Sequence, residues 1–298
     1  MKSHYSPSQV AQALGVSESS VKRWCNQGLI DTERTAGGHR RIPVSSVIRF
    51  TRNHEHPLVE PELLSLPPTA SGSPIGIEAA LDEAVEALAA GDEERFRAVG
   101  FRLYLDGHSV AEICDQVLAP AFQRLGTQWQ HGHLEIYQER RGCEICLKLL
   151  HELRLALPEV GRDAPVALGG TLAGDWYHLP TTMCELTLRE AGWQAQSLGS
   201  SHPAETLAAA VRDRRPRLFW ISASHAEDRE EFVDRVGRIY DVARDVGTAL
   251  VVGGRILDED LRRRARCSVV CEDLRRLASF ASALEPTPDG GQPKHERS

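Results

Sequence analysis

The feature that most constrains the fold of this chain is a change in hydrophobic periodicity near residue 163. Before it, residues 75–158 carry helical apolar spacing, broken by glycines, with almost no strand pattern. After it, short apolar runs alternate with helical stretches up to residue 284. Antiparallel helices with short connections pack as a bundle, and alternating strands and helices form a doubly wound parallel sheet. The sequence therefore predicts a four-helix bundle followed by an α/β domain.

The spacing also predicts the individual elements. The bundle helices are expected at residues 77–90, 92–105, 109–128 and 134–157. In the α/β domain, strands are expected at 166–168, 195–198, 218–221 and 249–252, and helices at 181–191, 204–212, 228–246 and 273–284. Ligands of such sheets bind at the carboxyl ends of the strands. Here those positions are the 171–180 loop, residues 222–224 and the pair Gly253-Gly254.

Residues 1–54 show the pattern of two short helices joined by a tight turn. Ser6 followed by Pro7 and Gln9 is typical of a helix start with a capping box, and Gly15 ends this helix before Ser17 begins the next. A hairpin is predicted over residues 34–42 around a Gly-Gly pair. The pattern predicts an all-α winged helix-turn-helix domain.

Charge separates this unit from the rest of the chain. The whole chain has a formal net charge of -7, but residues 1–54 hold eight Lys and Arg against three acidic residues, a net of +5, which leaves -12 elsewhere. Basic charge on a helix-turn-helix is suited to DNA phosphates; the alternative is a small helical domain that binds protein. The predicted DNA contacts are Ser19, Ser20, Lys22, Arg23, His39, Arg40 and Arg41.

The remaining segments set the domain boundaries and the compartment. Residues 55–74 contain five prolines and are expected to form a poorly packed linker, and the polar residues 285–298 a disordered tail. No run reaches the roughly 18 apolar residues of a membrane span, and the N-terminus lacks the apolar core of a secretory signal. Seven scattered cysteines fit reduced thiols, so a cytoplasmic protein is expected.

Particular motifs carry a family resemblance. The N-terminal stretches SPSQVAQALGVSESSVKRWCNQGLI and RTAGGHRRI closely resemble the winged helix of MerR-type regulators. Further along, PAFQRLGTQWQHGHLEIYQER, GDWYHLPTTMCELTLREAGW, FWISAS, VVGG and CEDLRRLASFASAL are similar to the light-responsive, cobalamin-dependent MerR repressors of the CarH/LitR group. The resemblance implies a repressor that binds operator half-sites as a homo-oligomer, dimer or tetramer. It also implies a tetrapyrrole between bundle and sheet, and a change of oligomeric state as the switch.

This chain departs from the family pattern where the cofactor is held. Trp129 and Glu139 match, but Arg140 stands where the family has His, and Gln130 replaces a His that often follows the Trp. In the 171–180 loop Asp175 fits, whereas Tyr177 takes the place of the axial His and Pro180 that of a Gly. His178 lies one position late. A neutral phenol is a poor ligand for cobalt, and a proline stiffens the loop along which a nucleotide tail would slide.

Three interpretations of this pocket stay open. The first is weakly held cobalamin, with its own tail base or His178 as ligand. The second, which we favour, is another tetrapyrrole, a biliverdin-type bilin before haem; aromatic rings of Trp129, Trp176, Tyr177 and Trp220 would hold it, and Arg140 or His178 would meet its carboxylates. Haem would use His131, His133 or His178. The third is an empty, purely structural pocket with core tryptophans.

The candidate ligand contacts comprise side chains from the bundle and from the strand ends. They are Trp129, Gln130, Glu139, Arg140, Asp175, Trp176, Tyr177, His178, Ser222, Ser224, Gly253 and Gly254. No metal ligand is expected apart from His178 with a metallo-tetrapyrrole. An enzyme such as a cobalamin-dependent mutase or methyltransferase is disfavoured, since no substrate barrel accompanies the module. The sequence thus predicts a transcription regulator and photoreceptor, with a constitutive regulator carrying a vestigial sensor as the alternative.

Overall fold

The computed structural model describes residues 4–54, 56–68, 75–131 and 134–284. The predicted tail, residues 285–298, lies outside these ranges. The predicted multidomain fold class is confirmed: a helix-turn-helix unit is followed by a helical bundle and a five-stranded parallel sheet.

The N-terminal unit contains three helices, α1 to α3, and three short strands. The helices are α1 Pro7–Ala13, α2 Glu18–Asn26 and α3 Val44–His54, and the strands are β1 His4–Tyr5, β2 Glu33–Arg34 and β3 Arg40–Pro43. The expected caps are present, because the Ser6 side chain accepts from the Gln9 N–H and the Ser17 side chain from the Ser20 N–H. The antiparallel β2–β3 hairpin is the wing, and β1 pairs with β3 on its other side. The predicted hairpin is present, so short strands accompany the helices of this unit. Strand β1 was not predicted, because a two-residue strand is too short to show periodicity.

The described part of the linker differs from the expectation of poor packing. A 3₁₀ turn, Pro61–Leu64, contacts α1, and Leu64 and Leu66 are buried. The Tyr5 hydroxyl donates to Ser65 Oγ at 2.9 Å, and the Arg97 guanidinium donates to the Ser65 carbonyl at 2.7 Å. Residues 56–68 are therefore fixed between the N-terminal unit and the bundle.

The bundle follows the predicted order of helices. Its elements are α4 Ile77–Ala90, α5 Glu93–Leu105, α6 Val110–Ile113, α7 Ala119–Gln130 and α8 Ile136–Ala156. A π turn, Cys114–Leu118, joins α6 and α7 into one continuous helix. Pro120 is the second residue of α7. Because it has no N–H, it cannot donate to the preceding turn, and a π turn is one of the ways a helix accommodates such a gap.

The α/β domain has five parallel strands. They are β4 Val166–Gly170, β5 Gln194–Ser197, β6 Leu218–Ser222, β7 Ala249–Gly253 and β8 Val269–Cys271, in the spatial order β5-β4-β6-β7-β8. The helices are α9 His178–Glu190, α10 Ala204–Arg214, α11 Arg229–Val246, α12 Glu259–Arg264 and α13 Leu274–Leu284. Strand β8 and helix α12 were not predicted, because both are too short to carry a period.

Two separate cores flank the sheet. One face packs against α9 and α13 around Trp193 and Trp220, and the other packs against α10, α11 and α12. The outer side of α9 joins the core of the bundle through Leu179, Met183 and Leu186. The bundle is therefore seated on the α9 side of the sheet. In the described ranges we observe no helix long and apolar enough to cross a membrane.

Candidate DNA interface and ligand site

Helix α2 is the predicted recognition helix. The Ser17 hydroxyl lies 2.8 Å from Ser19 Oγ and 2.9 Å from Ser20 Oγ, so the two predicted serines belong to the cap of the helix. Lys22 pairs with Glu18 at 2.7 Å one turn away, and Arg23 is exposed. Lys22 and Arg23 are therefore the exposed cations of α2.

The wing presents its basic residues in two different ways. Arg40 turns back onto α2, where its guanidinium donates to Asn26 Oδ1 at 2.9 Å and to the Lys22 carbonyl at 3.3 Å. Arg41 and His39 are exposed. Arg40 thus holds the wing against the recognition helix, and Arg41 and His39 are the wing residues available to a partner.

Asp175, a predicted ligand contact, is part of the protein's own framework. Its carboxylate is 1% exposed and accepts three backbone N–H groups, from Tyr177 at 3.0 Å, Ser224 at 2.6 Å and His225 at 3.1 Å. These bonds tie the loop after β4 to the end of β6. A buried carboxylate satisfied by three donors fixes this edge of the sheet.

The neighbouring loop residues face outward. Trp176 is 73% exposed and Tyr177 43% exposed. The Arg255 guanidinium lies 4.6 Å from the centre of the Tyr177 ring and donates through Nε to the Ser224 carbonyl at 3.0 Å. Arg255 was not among the predicted contacts. Its position directly after a Gly-Gly pair at a strand end is the sequence signal that could have identified it. Together these residues form a cationic and aromatic surface at the carboxyl edge.

The start of α9 corrects the prediction for the 171–180 loop. The helix begins at His178, so Pro180 lies in its first turn, where proline is tolerated because the N–H has no helical partner. Pro180 therefore does not stiffen a loop. His178 is exposed at the first helical position, one residue after the place where the family has its axial imidazole.

The other predicted strand-end residues are two glycines, which permit close backbone contacts, and two buried serines. Gly254 has φ +130, and a Cβ there would lie 2.2 Å from the Ala223 carbonyl oxygen. A Cβ on Gly253 would lie 2.8 Å from the Cys271 carbonyl oxygen. Ser222 and Ser224 are buried. The two glycines let strand ends approach closely, and neither serine offers an exposed hydroxyl.

At the free end of the bundle lies an exposed apolar surface, which we call the bundle tip: Trp129, Ile136 and Tyr137, exposed by 46%, 56% and 65%. Gln130 and Arg140 are exposed beside it, and Arg140 lies 3.8 Å from the carboxylate of the half-buried Glu139. His131, a candidate haem ligand, is exposed with Nδ1 2.7 Å from the Thr127 carbonyl. His133 lies outside the described residues.

Trp220 does not face the ligand site. Its side chain is 1% exposed, and its Nε1–H donates to Thr181 Oγ1 of α9 at 3.0 Å. The prediction that its ring contacts a bound tetrapyrrole at the carboxyl edge is therefore wrong. Strand alternation turns this residue inward toward α9.

Two half-buried cysteines, Cys184 and Cys143, lack the surroundings of a reactive thiol. Burial raises the pKa of the Cys184 thiol to about 12, and burial together with Glu139 raises that of Cys143 to about 12. Both are therefore protonated at neutral pH. A thiol needs a lowered pKa to act as a nucleophile.

Cavity size at the carboxyl edge constrains how a ligand binds. A cavity of about 180 Å³ lies on the α11 side, lined by Gly174, His225, Phe232 and Arg235 among others. Enclosed ligand sites typically measure roughly 300–1,000 Å³. The cavity at this edge is therefore smaller than an enclosed ligand site of that kind.

Comparison with known proteins agrees with this architecture. Residues 5–55 match the model of a helix-turn-helix domain, and residues 80–154, which lie in the bundle, match a B12 binding domain. The HTH-type transcriptional repressor CarH of Myxococcus xanthus is 30% identical over 140 residues, 47% of this chain and 46% of the repressor. The monomethylamine corrinoid protein of Methanosarcina barkeri has a TM-score of 0.57 at 14% identity, covering 70% of this chain and all of that one.

The fold and these matches show a helix-turn-helix domain joined to a module of the B12-binding-domain type. The predicted resemblance to the CarH group is confirmed over the part of the chain that aligns with CarH. The alignment spans 46% of the length of the repressor. The match to a B12 binding domain supports a cobalamin-type tetrapyrrole and gives no support for a bilin.

The residues present do not fit a cobalamin ligated by this chain in the family's way. Tyr177, which the sequence motif aligns with the axial His, has its ring 4.6 Å from the Arg255 guanidinium, and a neutral phenol is a poor donor to cobalt. The space between the sheet and the first turn of α9 holds the indole of Trp220.

Proposed function

We propose that this protein is a cytoplasmic, non-enzymatic transcription repressor whose C-terminal module binds a tetrapyrrole and thereby controls operator binding. The observation that carries the DNA-binding part is the pairing of an exposed basic helix with a basic wing. Arg23 on α2 and Arg41 on the wing are exposed, and Arg40 holds the two elements together. This arrangement suits a recognition helix in the major groove with the wing on the backbone.

The proposed ligand binding is supported by the direction of the continuous helix that α6, the π turn and α7 form. Val110, at the start of α6, donates its N–H to Glu190 at the end of α9. The end of α9 lies at the edge of the sheet where the amino ends of the strands meet. Asp115 accepts from the N–H of Leu274 at the start of α13. The start of α13 lies at the opposite edge, where the carboxyl ends of the strands meet. The helix thus runs toward the carboxyl edge and continues to Gln130, about 1.5 Å per residue further. The bundle tip would then project beyond the loop that carries Trp176 and Tyr177.

The proposal takes a bilin as the ligand. A bilin carries no metal and needs no axial donor, so the replacement of the axial imidazole by Tyr177 favours it over cobalamin and haem. Arg140, Arg255 and His178 are exposed cations or donors that could pair with its carboxylates. Light or ligand state would then change the oligomeric state, and multivalent contact would make operator affinity depend on assembly.

Operator binding tests the proposal directly. Genomic fragments bound by the full-length protein would be selected and their affinity measured over a range of salt concentrations. Arg23→Ala and Arg41→Ala should each weaken binding and reduce the salt slope by about 1. Arg212→Ala, which removes an exposed arginine from α10, is the matched control. Loss of affinity in the control alone, or selection of no fragment, would contradict DNA binding through α2 and the wing.

Absorption spectra test the ligand. The purified protein would be mixed with biliverdin, haem or cobalamin in turn, in the dark, and then passed through gel filtration. A red-region band retained with biliverdin alone is the expected result. Stable retention of cobalamin without biliverdin would overturn the bilin assignment and leave the DNA-binding proposal standing.

A further inference from the structure

The indole of Trp220 occupies the layer between the sheet and α9. Trp220 lies on β6, the central strand, and is 1% exposed. Its Nε1–H donates to Thr181 Oγ1 at 3.0 Å, and this hydroxyl lies 3.1 Å from Ser197 Oγ at the end of β5. The ring is therefore held by a fully buried polar contact as well as by packing.

Gly169 shows how completely the ring fills this space. A Cβ on Gly169 of β4 would lie 2.1 Å from Cδ2 of the indole. The ring thus lies directly against the backbone of the neighbouring strand, at a position that only glycine can occupy. The ring therefore spans the layer from the backbone of β4 to the first turn of α9.

The first turn of α9 is itself fixed. Thr182 Oγ1 donates to the His178 carbonyl at 3.0 Å. Leu179 is buried in the core of the bundle, and Thr181 is fully buried on the side of the sheet. The helix start is therefore held on both sides, and it does not leave an open path into the fold.

We propose that Trp220 closes the route by which a nucleotide chain appended to a tetrapyrrole would enter between the sheet and α9. The ligand class that fits this chain is then a tetrapyrrole without a nucleotide loop, lying across the carboxyl edge. This inference rests on the proposed function only in taking the ligand to bind at that edge. The fold is of the cobalamin-binding type, but its interior is closed by the chain's own side chain.

The test compares two corrinoids that differ in the nucleotide loop. Cobalamin and cobinamide, the same ring system without the nucleotide, would be titrated into the full-length protein in the dark and followed by absorption. We expect cobalamin to bind no more than about twofold tighter than cobinamide. If the protein retains neither corrinoid, that result also agrees with the proposal, because the nucleotide loop of cobalamin then adds no affinity. A preference for cobalamin of tenfold or more would overturn the proposal.

A variant makes the test specific to Trp220. Trp220→Gly should open the layer and raise the preference for cobalamin over cobinamide at least tenfold. Trp193→Gly removes an equally buried indole from the same core and should leave the ratio unchanged. Circular dichroism shows whether each variant is folded. If Trp220→Gly does not fold, the ratio of cobalamin to cobinamide affinity in the wild type still tests the proposal. Operator binding is not read in this experiment, so failure of the ratio and failure of the proposed DNA binding are separate results.

Discussion

The guanidinium of Arg52, on α3 of the N-terminal unit, lies 3.4 Å from the carboxylate of Glu190 at the end of α9. Both side chains are about four-fifths buried. Arg52 also donates to the Gly107 and His108 carbonyls at 3.2 Å and lies 4.0 Å from the centre of the Tyr104 ring. One arginine therefore joins the helix-turn-helix unit to both the bundle and the sheet domain.

Removing this arginine should loosen the contact between the units. Arg52→Ala leaves Glu190 without its cation and two carbonyls without a donor, which we expect to weaken the docked state by about 1.5–3 kcal/mol. The measurement is amide hydrogen exchange, which should become faster in α3 and in residues 107–110. Arg49→Ala, which removes an ion pair with Asp31 inside the N-terminal unit, is the control. Equal exchange in the wild type and Arg52→Ala would show that the contact does not hold the units together.

Asp175 should be far more important for stability than an ordinary exposed aspartate. Asp175→Asn places an amide NH₂ among three backbone donors, so at least one N–H loses its acceptor. We expect a loss of about 2–3 kcal/mol in the free energy of unfolding, measured in urea. Asp228→Asn, at the exposed N-cap of α11, should cost about 1 kcal/mol or less. Similar losses in the two variants would argue against the central role of Asp175.

Acid sensitivity should depend on Glu112. The Ser109 backbone N–H and hydroxyl donate to the Glu112 carboxylate at 2.9 and 3.0 Å, and these bonds lower its pKa below the ordinary value of 4.5. A lowered folded pKa means that this stabilisation is complete above pH 4.5 and is lost as the pH falls through the folded value.

Glu112→Gln should therefore be less stable than the wild type at pH 7, and the difference should shrink below pH 4.5. Urea midpoints at pH 7, 4.5 and 3.5 provide the comparison. Glu94→Gln, an exposed site on α5, should show little change across this range. A constant difference at all three values would contradict the assignment of the charged carboxylate to the cap.

The contact between Arg40 and Asn26 should affect operator binding without a change in charge. Asn26→Ala removes the acceptor that holds Arg40 2.9 Å away, so the wing becomes less ordered. We expect a several-fold weaker affinity with an unchanged salt slope, whereas Arg41→Ala should reduce the slope by about 1. Fluorescence anisotropy over a salt series measures both quantities. A reduced slope in Asn26→Ala would show that its effect is on phosphate contacts instead.

Local pattern accounted for the elements whose apolar spacing is long. Helix α4 was predicted over the same residues, 77–90, because its burial follows a single helical period and Gly91 ends it. Strand β1 and helix α12 were missed, because pairing and packing with distant segments, rather than their own sequence, define them. The candidate site was predicted less well: Asp175 and Trp220 were identified as functional residues, but their roles depend on contacts with residues tens of positions away.

By itself, the sequence determined the order of units and the placement of charge. Capping residues, helical spacing and the +5 charge of residues 1–54 are local properties that each segment carries alone. Only the tertiary structure decided which side chains face a ligand and which fill the interior. In sequence, Trp220 and Tyr177 are both aromatic residues near strand ends; in the fold, one is sealed under α9 and the other is open at the edge. That difference is set by the packing of α9 against the sheet. Side chains of a strand alternate between its two faces, and the layer that covers a face decides whether they are buried.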